Sequence, residues 1–216
     1  MISVYGAWWH WLRFGGNYPR YAKEIRQREF FTNSQWQEYQ RVKLIELLRI
    51  CVSEVPYYRE NWNQSQRQFG IEGDLSELPL LEKQALRGSG STFIRQVPGG
   101  LFKQTFHTSG TTGTPIISTF TLSEMRESLA VREVRSANWA GVSFSDPRAT
   151  FSGRMVEPDP EETKQVYRYN SAEKQVYFSA FHLKPSTARS YVEALHKHKV
   201  VWMTGYAVSF YLLAHF

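Results

Sequence analysis

Between His107 and Ser118 the chain reads HTSGTTGTPIIS. Ser109, Thr111, Thr112 and Thr114 set four hydroxyls around Gly110 and Gly113. Glycines allow φ > 0, so successive N–H groups can point into one concavity that suits an anion. The hydroxyls add donors without adding charge. Such a loop can grip a polyphosphate and still let pyrophosphate leave. The spacing is not that of a Walker loop, because Gly110 and Gly113 stand too close and no Lys-Ser/Thr follows. It is not a dinucleotide fingerprint either, which needs G-x-G-x-x-G opening a helix. On spacing alone, an anion site and a plain polar hairpin turn both remain open.

The elements around the loop read as strands. LFKQTFHT alternates before it, and IISTFTL after it is rich in β-branched and aromatic residues. Ser123 is then expected to cap a helix with Glu124 in its first turn and Met125 and Leu129 facing inward. Upstream, SQWQEYQRVKLIELLRICVSE predicts a long helix, with Ser34 as N-cap and Gln37 completing a capping box. Leu44, Leu48, Cys51 and Val55 recur at helical spacing, Ile45 and Leu47 widen the stripe, and Pro56 ends it. Cys51, the single cysteine, therefore reads as a structural thiol. Downstream, ATFSGRMV and KQVYFSAF read as strands, PSTARSYVEALHKHK as a helix with Tyr191 and Leu195 inward, VVWMTG as a buried strand and AVSFYLLAHF as a helix. Strands alternating with helices predict an α/β fold.

Composition narrows the class. Of 216 residues 42% are hydrophobic and 15% aromatic, enough for a real core. One cysteine excludes an internal disulfide, and no run nears the roughly 20 apolar residues of a membrane helix. The N-terminus MISVYGAWWHWLRFGG lacks the basic start of a signal peptide, so a cytoplasmic protein is expected. The net charge of +6 is spread along the chain, without an arginine-rich tract or zinc-finger spacing, and nucleic acid is not an expected partner. Oligomeric state is left open.

TSGTTGTP resembles the phosphate-loop signature of the adenylate-forming (AMP-binding) superfamily. EVPYYRENW, LSELPLLEKQALR, FSGRMV, YRYNSAEKQVYFSAFHLKP and VWMTGYAVSFYLLA resemble the phenylacetate–coenzyme A ligase family, in particular its CapK-like, capsular-polysaccharide-associated members. The resemblance runs from about Val42 to the end. It implies a mixed sheet with flanking helices, with residues 1–33 as an aromatic, basic lead and 34–216 as part of the family's large domain. It further implies that Ser109, Gly110, Thr111, Thr112, Gly113 and Thr114 hold the phosphates of ATP. Family members join a small carboxylic acid to ATP with Mg²⁺ and pass the acyl group to coenzyme A or another thiol. Ile116 departs from the lysine frequent at that point.

His182, in AFHLKP, falls near the family's acyl pocket; the alternative is a partly exposed polar residue at a strand end. Gly205 and Tyr206 could border the same pocket, or be a packing glycine and a core tyrosine. The family's ribose-binding aspartate, acidic residue near magnesium and terminal lysine have no counterpart before Phe216, so no catalytic residue is assigned. The expectation is an incomplete ligase, inactive alone. The rival expectation is a non-catalytic binding protein of a polysaccharide-assembly system.

Overall fold

The computed structural model describes residues 2–88, 90–96, 103–107, 115–159 and 165–216, and the chain forms two compact units. One takes Met1–Ala22 with Arg126–Phe216, the other Lys23–Met125.

The first unit is built on a four-stranded sheet in the order β4-β5-β3-β6. Its strands are β3 (Arg148–Ser152), β4 (Tyr167–Asn170), β5 (Gln175–Ser179) and β6 (Trp202–Gly205). β5 and β6 run parallel to β3, and β4 runs antiparallel to β5. The α/β class with a mixed sheet is as expected. β4 was not foreseen; the tetrapeptide KQVY occurs at both 164–167 and 174–177, and the two tyrosines fall on adjacent strands. The segment read as a buried strand, β6, is instead an edge strand with Met203 44% exposed.

α8 (Pro185–Lys197) opens with proline in its first turn, where the missing N–H costs nothing, and lays Tyr191 and Ala194 on the sheet. Tyr191 stacks on Phe178 at 4.6 Å, and Phe151 lies 4.7 Å from Phe178. The Tyr191 hydroxyl donates to the Ser179 carbonyl at 2.8 Å, and burial raises its pKa. α9 (Ala207–His215) packs Phe210, Leu212 and Leu213 against this core and leaves Val208 and Tyr211 exposed. The N-terminal residues form α1 (Ile2–Phe14), which runs beside β4 and the Ser171–Glu173 turn, and begin α2 (Tyr18–Gln27).

The second unit is mainly helical, with α3 (Asn33–Glu54), α4 (Pro56–Asn61), α5 (Gln64–Glu72) and α6 (Lys83–Gly88). α3 begins two residues earlier than expected: the cap is Thr32, whose Oγ1 accepts from Gln35 N while Gln35 Oε1 accepts from Thr32 N at 2.8 Å. T-x-x-Q and S-x-x-Q overlap here, and the earlier start wins. Leu48 and Val55 are buried and Cys51 is half-buried, its thiol pushed up by desolvation, but Leu47 is exposed. Pro56 ends α3 and opens α4. Asn63 and Gln66 form a second capping box on α5, and Gly73 ends it in the left-handed region.

β1 (Lys103–His107) and β2 (Ile117–Thr121) pair antiparallel as a separate two-stranded sheet. α7 (Leu122–Arg132) follows at once and is capped by Thr121, not Ser123. Glu124 N donates to Thr121 Oγ1 at 3.2 Å, and Thr121 N donates to Glu124 Oε2 at 2.7 Å. As expected, Met125 is buried on the inner face; Leu129 is half-buried.

Candidate functional site

Three parallel strands, β5, β3 and β6, end on the same side of the sheet. Ser152 is in register with Ser179, and Phe151 with Gly205. In open α/β sheets, ligands sit outside the carboxyl ends of the strands. β3 and β6 both finish in hydroxyl–glycine, Ser152-Gly153 and Thr204-Gly205. This shared ending is a signal the sequence carries.

Each expected pocket residue lies at this end. Gly205 has φ 146°, and a Cβ there would come 2.1 Å from the Phe151 carbonyl oxygen. Only glycine lets β6 turn away this close to β3. Tyr206 follows as the N-cap of α9. It is exposed rather than a core tyrosine, and its hydroxyl lies 3.2 Å from the point where a Cβ on Gly153 would stand. Phe181 reaches within 3.8 Å of the same point and is also exposed. Gly153 is thus a floor between two aromatic walls. Phe181 and Gly153 were missed, because an aromatic after a strand looks from sequence like any core residue.

His182 is fully buried, not partly exposed. Its Nε2 lies 3.1 Å from the Asp159 carbonyl oxygen. A carbonyl only accepts, so Nε2 carries a hydrogen, and in the neutral ring Nδ1 is then the acceptor. Nδ1 is buried without a hydrogen-bond partner among the described residues. The first turn of α8 fixes the backbone: Thr187 Oγ1 donates to the His182 carbonyl at 2.6 Å. A buried, unpartnered acceptor beside a sheet's carboxyl end suits a donor from a ligand.

The largest cluster of charge lies at the opposite end of the strands. Arg148 opens β3 and Gln175 opens β5. The Glu173 carboxylate accepts from Arg13 Nε at 3.1 Å, from Arg13 Nη2, from Arg148 Nη2 at 3.1 Å and from the Tyr177 hydroxyl at 3.3 Å. Arg148 also donates to the Glu173 carbonyl at 2.9 Å, to Gln175 Oε1 at 2.7 Å and to the Phe144 carbonyl. Burial, and then the nearby positive Arg13, pull the Arg148 guanidinium down to about 10. Perturbed groups often mark sites. Here the carboxylate oxygens are occupied from several sides by the protein's own donors, and the cluster fastens α1 to the sheet.

The expected phosphate residues, Ser109, Gly110, Thr111, Thr112, Gly113 and Thr114, lie outside the described residues. Their flanks are described. β1 and β2 pair with His107 opposite Ile117, so the two ends of the connection stand side by side. Among the described residues, no group of three or more His, Cys, Asp and Glu is placed to hold a metal, and no helix is long and apolar enough to cross a membrane.

No protein-family model matches the chain, and no solved structure matches it. By sequence it is similar to Protein CapK of Staphylococcus aureus, 22% identical over 219 residues. That similarity takes in all of this chain and 47% of CapK, so the chain spans about half the length of the curated relative it matches.

Proposed function

We propose that the chain carries the phosphate-loop half of an ATP-dependent carboxylate ligase of the phenylacetate–coenzyme A ligase type, serving polysaccharide biosynthesis. The observation that carries the proposal is the stretch TSGTTGTP hung between two strands whose ends pair, His107 opposite Ile117. The similarity to CapK over the whole chain supports the same branch. In this reading the N–H groups and hydroxyls of Ser109–Thr114 hold the ATP phosphates. Phe181 and Tyr206 flank an acid at Gly153, and a hydroxyl or N–H of the bound molecule, not its carboxylate, donates to His182 Nδ1. Catalysis of adenylation is largely positioning and stabilisation of charge on phosphorus. Mg²⁺ and a thiol such as coenzyme A belong to the complete reaction. Among the described residues no cluster of His, Cys, Asp and Glu is placed to hold the metal.

The test is binding rather than turnover. Residues 1–216 are expected to give no ATP–pyrophosphate exchange with carboxylic acids, yet to melt higher in Mg-ATP. A ligand at about a hundred times its Kd adds roughly 2.7 kcal/mol to stability. Replacing Thr111 and Thr112 together by valine should abolish that rise. A melting temperature indifferent to Mg-ATP sinks the phosphate-loop assignment, and robust exchange overturns the view that the machinery is divided. Indifference would favour a second reading, a non-catalytic binding protein of a polysaccharide-assembly system. The outward-facing aromatic residues of α1 are the observation on its side.

A further inference from the structure

α1 turns Arg13 inward and Tyr5, Trp8 and Trp11 outward, while Trp9 and Phe14 are half-buried. Three contacts fix this rotation. Arg13 reaches in to Glu173 and Tyr177, the latter at 3.0 Å. Gly6 sits so close to Asn170 that a Cβ would meet its Oδ1 at 2.4 Å. Arg126 Nε donates to the Leu12 carbonyl at 2.8 Å and tethers the helix's last turn. With these held, Val4 (76% exposed), Tyr5 (64%), Trp8 (46%) and Trp11 (58%) form one outward stripe at helical spacing. Tyr5 and Trp8 lie 5.7 Å apart, ring to ring. An ordinary surface helix turns the other way.

We propose that this stripe docks in the headgroup interface of an anionic bilayer, with α1 lying in the membrane plane. Thirteen residues span about 20 Å, well short of the roughly 30 Å hydrocarbon core, so α1 cannot cross it. Trp and Tyr pair an apolar ring with an N–H or O–H, the chemistry that settles where hydrocarbon meets water. Charge points to the same partner. Residues 1–30 hold five basic side chains against two acidic ones, on a chain of net charge +6. Arg13 is turned inward to Glu173, and Arg20, Lys23 and Arg26 follow α1 in sequence with their side chains at the surface. An apolar stripe followed by basic residues matches the two signals that peripheral attachment to anionic lipid requires.

The proposal does not depend on what the glycine–threonine loop binds. Its test uses the full chain with phosphatidylcholine vesicles, with and without phosphatidylglycerol. The expected result is cosedimentation with the anionic vesicles, weakened by salt, with tryptophan emission shifted blue and quenched by bromine-labelled acyl chains. Trp8→Ser with Trp11→Ser should weaken partitioning about tenfold or more while lowering the melting temperature only slightly, since both rings are largely exposed and Trp11 gives up only its ring contact with Arg126. Arg20→Glu with Lys23→Glu should weaken binding to anionic vesicles without touching the stripe. Absence of cosedimentation at low salt overturns the proposal, as does a tryptophan double variant that binds like the parent. Self-association that the tryptophan variant abolishes, with no vesicle binding, assigns the stripe to a second copy of the chain and also overturns it. Bromolipid quenching of the unsubstituted chain decides the matter should the tryptophan variant fail to fold.

Discussion

The two sheets among the described residues are held by different means. In the four-stranded sheet, Ala149, Phe151, Val176 and Phe178 are almost wholly buried, with Tyr191 of α8 laid across them. The β1–β2 pair has the backbone hydrogen bonds of a sheet but not its cover: Phe106, Ile117 and Phe120 are all exposed. Phe106 and Phe120 meet edge-on at 5.6 Å on one face, and that contact is much of what the hairpin's own side chains supply. A two-stranded hairpin is marginal by itself. The strands that flank the glycine–threonine segment are therefore thinly supported, whereas His182, Gly205 and Tyr206 follow strands of a packed sheet. Binding loops are commonly drawn from the less stable parts of a fold.

The sharpest way to break the contrast is at the charge cluster. Glu173→Leu leaves Arg13 and Arg148 buried without their carboxylate, and a lost buried partner costs about 3–5 kcal/mol. Urea or thermal unfolding should show that loss. Removing the exposed Glu38, paired with Arg41 on α3, should leave stability almost unchanged, because water screens that pair. Equal effects would mean that the buried cluster is not what fastens α1.

Aromatic truncation sharpens the same point. Phe178→Ala removes a ring from a closed core and should cost about 3–5 kcal/mol. Phe106→Ala removes an exposed cross-strand contact and should cost about 1 kcal/mol or less. If the two are alike, the hairpin is better supported than its exposure indicates.

The smallest expected effect is on pH. Desolvation lowers the His198 pKa, with Lys197 adding to it, and desolvation followed by Arg13 and Arg148 lowers that of His10. The unfolded chain takes up protons near 6.5 where the folded one resists, so it binds more protons in that window. The stability concerned is complete above about pH 6.5 and is lost as pH falls through the lowered folded values. His198 lies ring to ring with Tyr169 at 3.9 Å. His198→Phe keeps a ring in that place and should flatten the fall in melting temperature between neutral and mildly acidic pH. An unchanged slope removes His198 from the explanation.

Much of the fold is legible in local pattern. The 3.6-residue spacing of Leu44, Leu48, Cys51 and Val55 announces α3, and Pro56 its end; β-branched and aromatic runs announce β2, β3, β5 and β6. The exact starts are less legible, because Thr32 and Ser34, or Thr121 and Ser123, are chemically equivalent caps two residues apart. Burial escapes local pattern as well. Leu47 fits the stripe yet is exposed, and His182 reads as a polar strand-end residue yet is fully buried. Of the candidate site, Gly205 announces itself at the end of VVWMTG, but nothing local sets Phe181 beside Gly153.

Most of the strands and helices from α3 onward, the α/β class and the glycine–hydroxyl stretch are properties of the sequence by itself, since each depends on neighbours within a turn or two. The rotation of α1 is not. It depends on Arg13 meeting Glu173, 160 positions away, and on Arg126 tethering its last turn. A buried carboxylate must find positive partners wherever the chain supplies them. Meeting that demand turned the aromatic face of α1 outward, and only the tertiary structure could decide it.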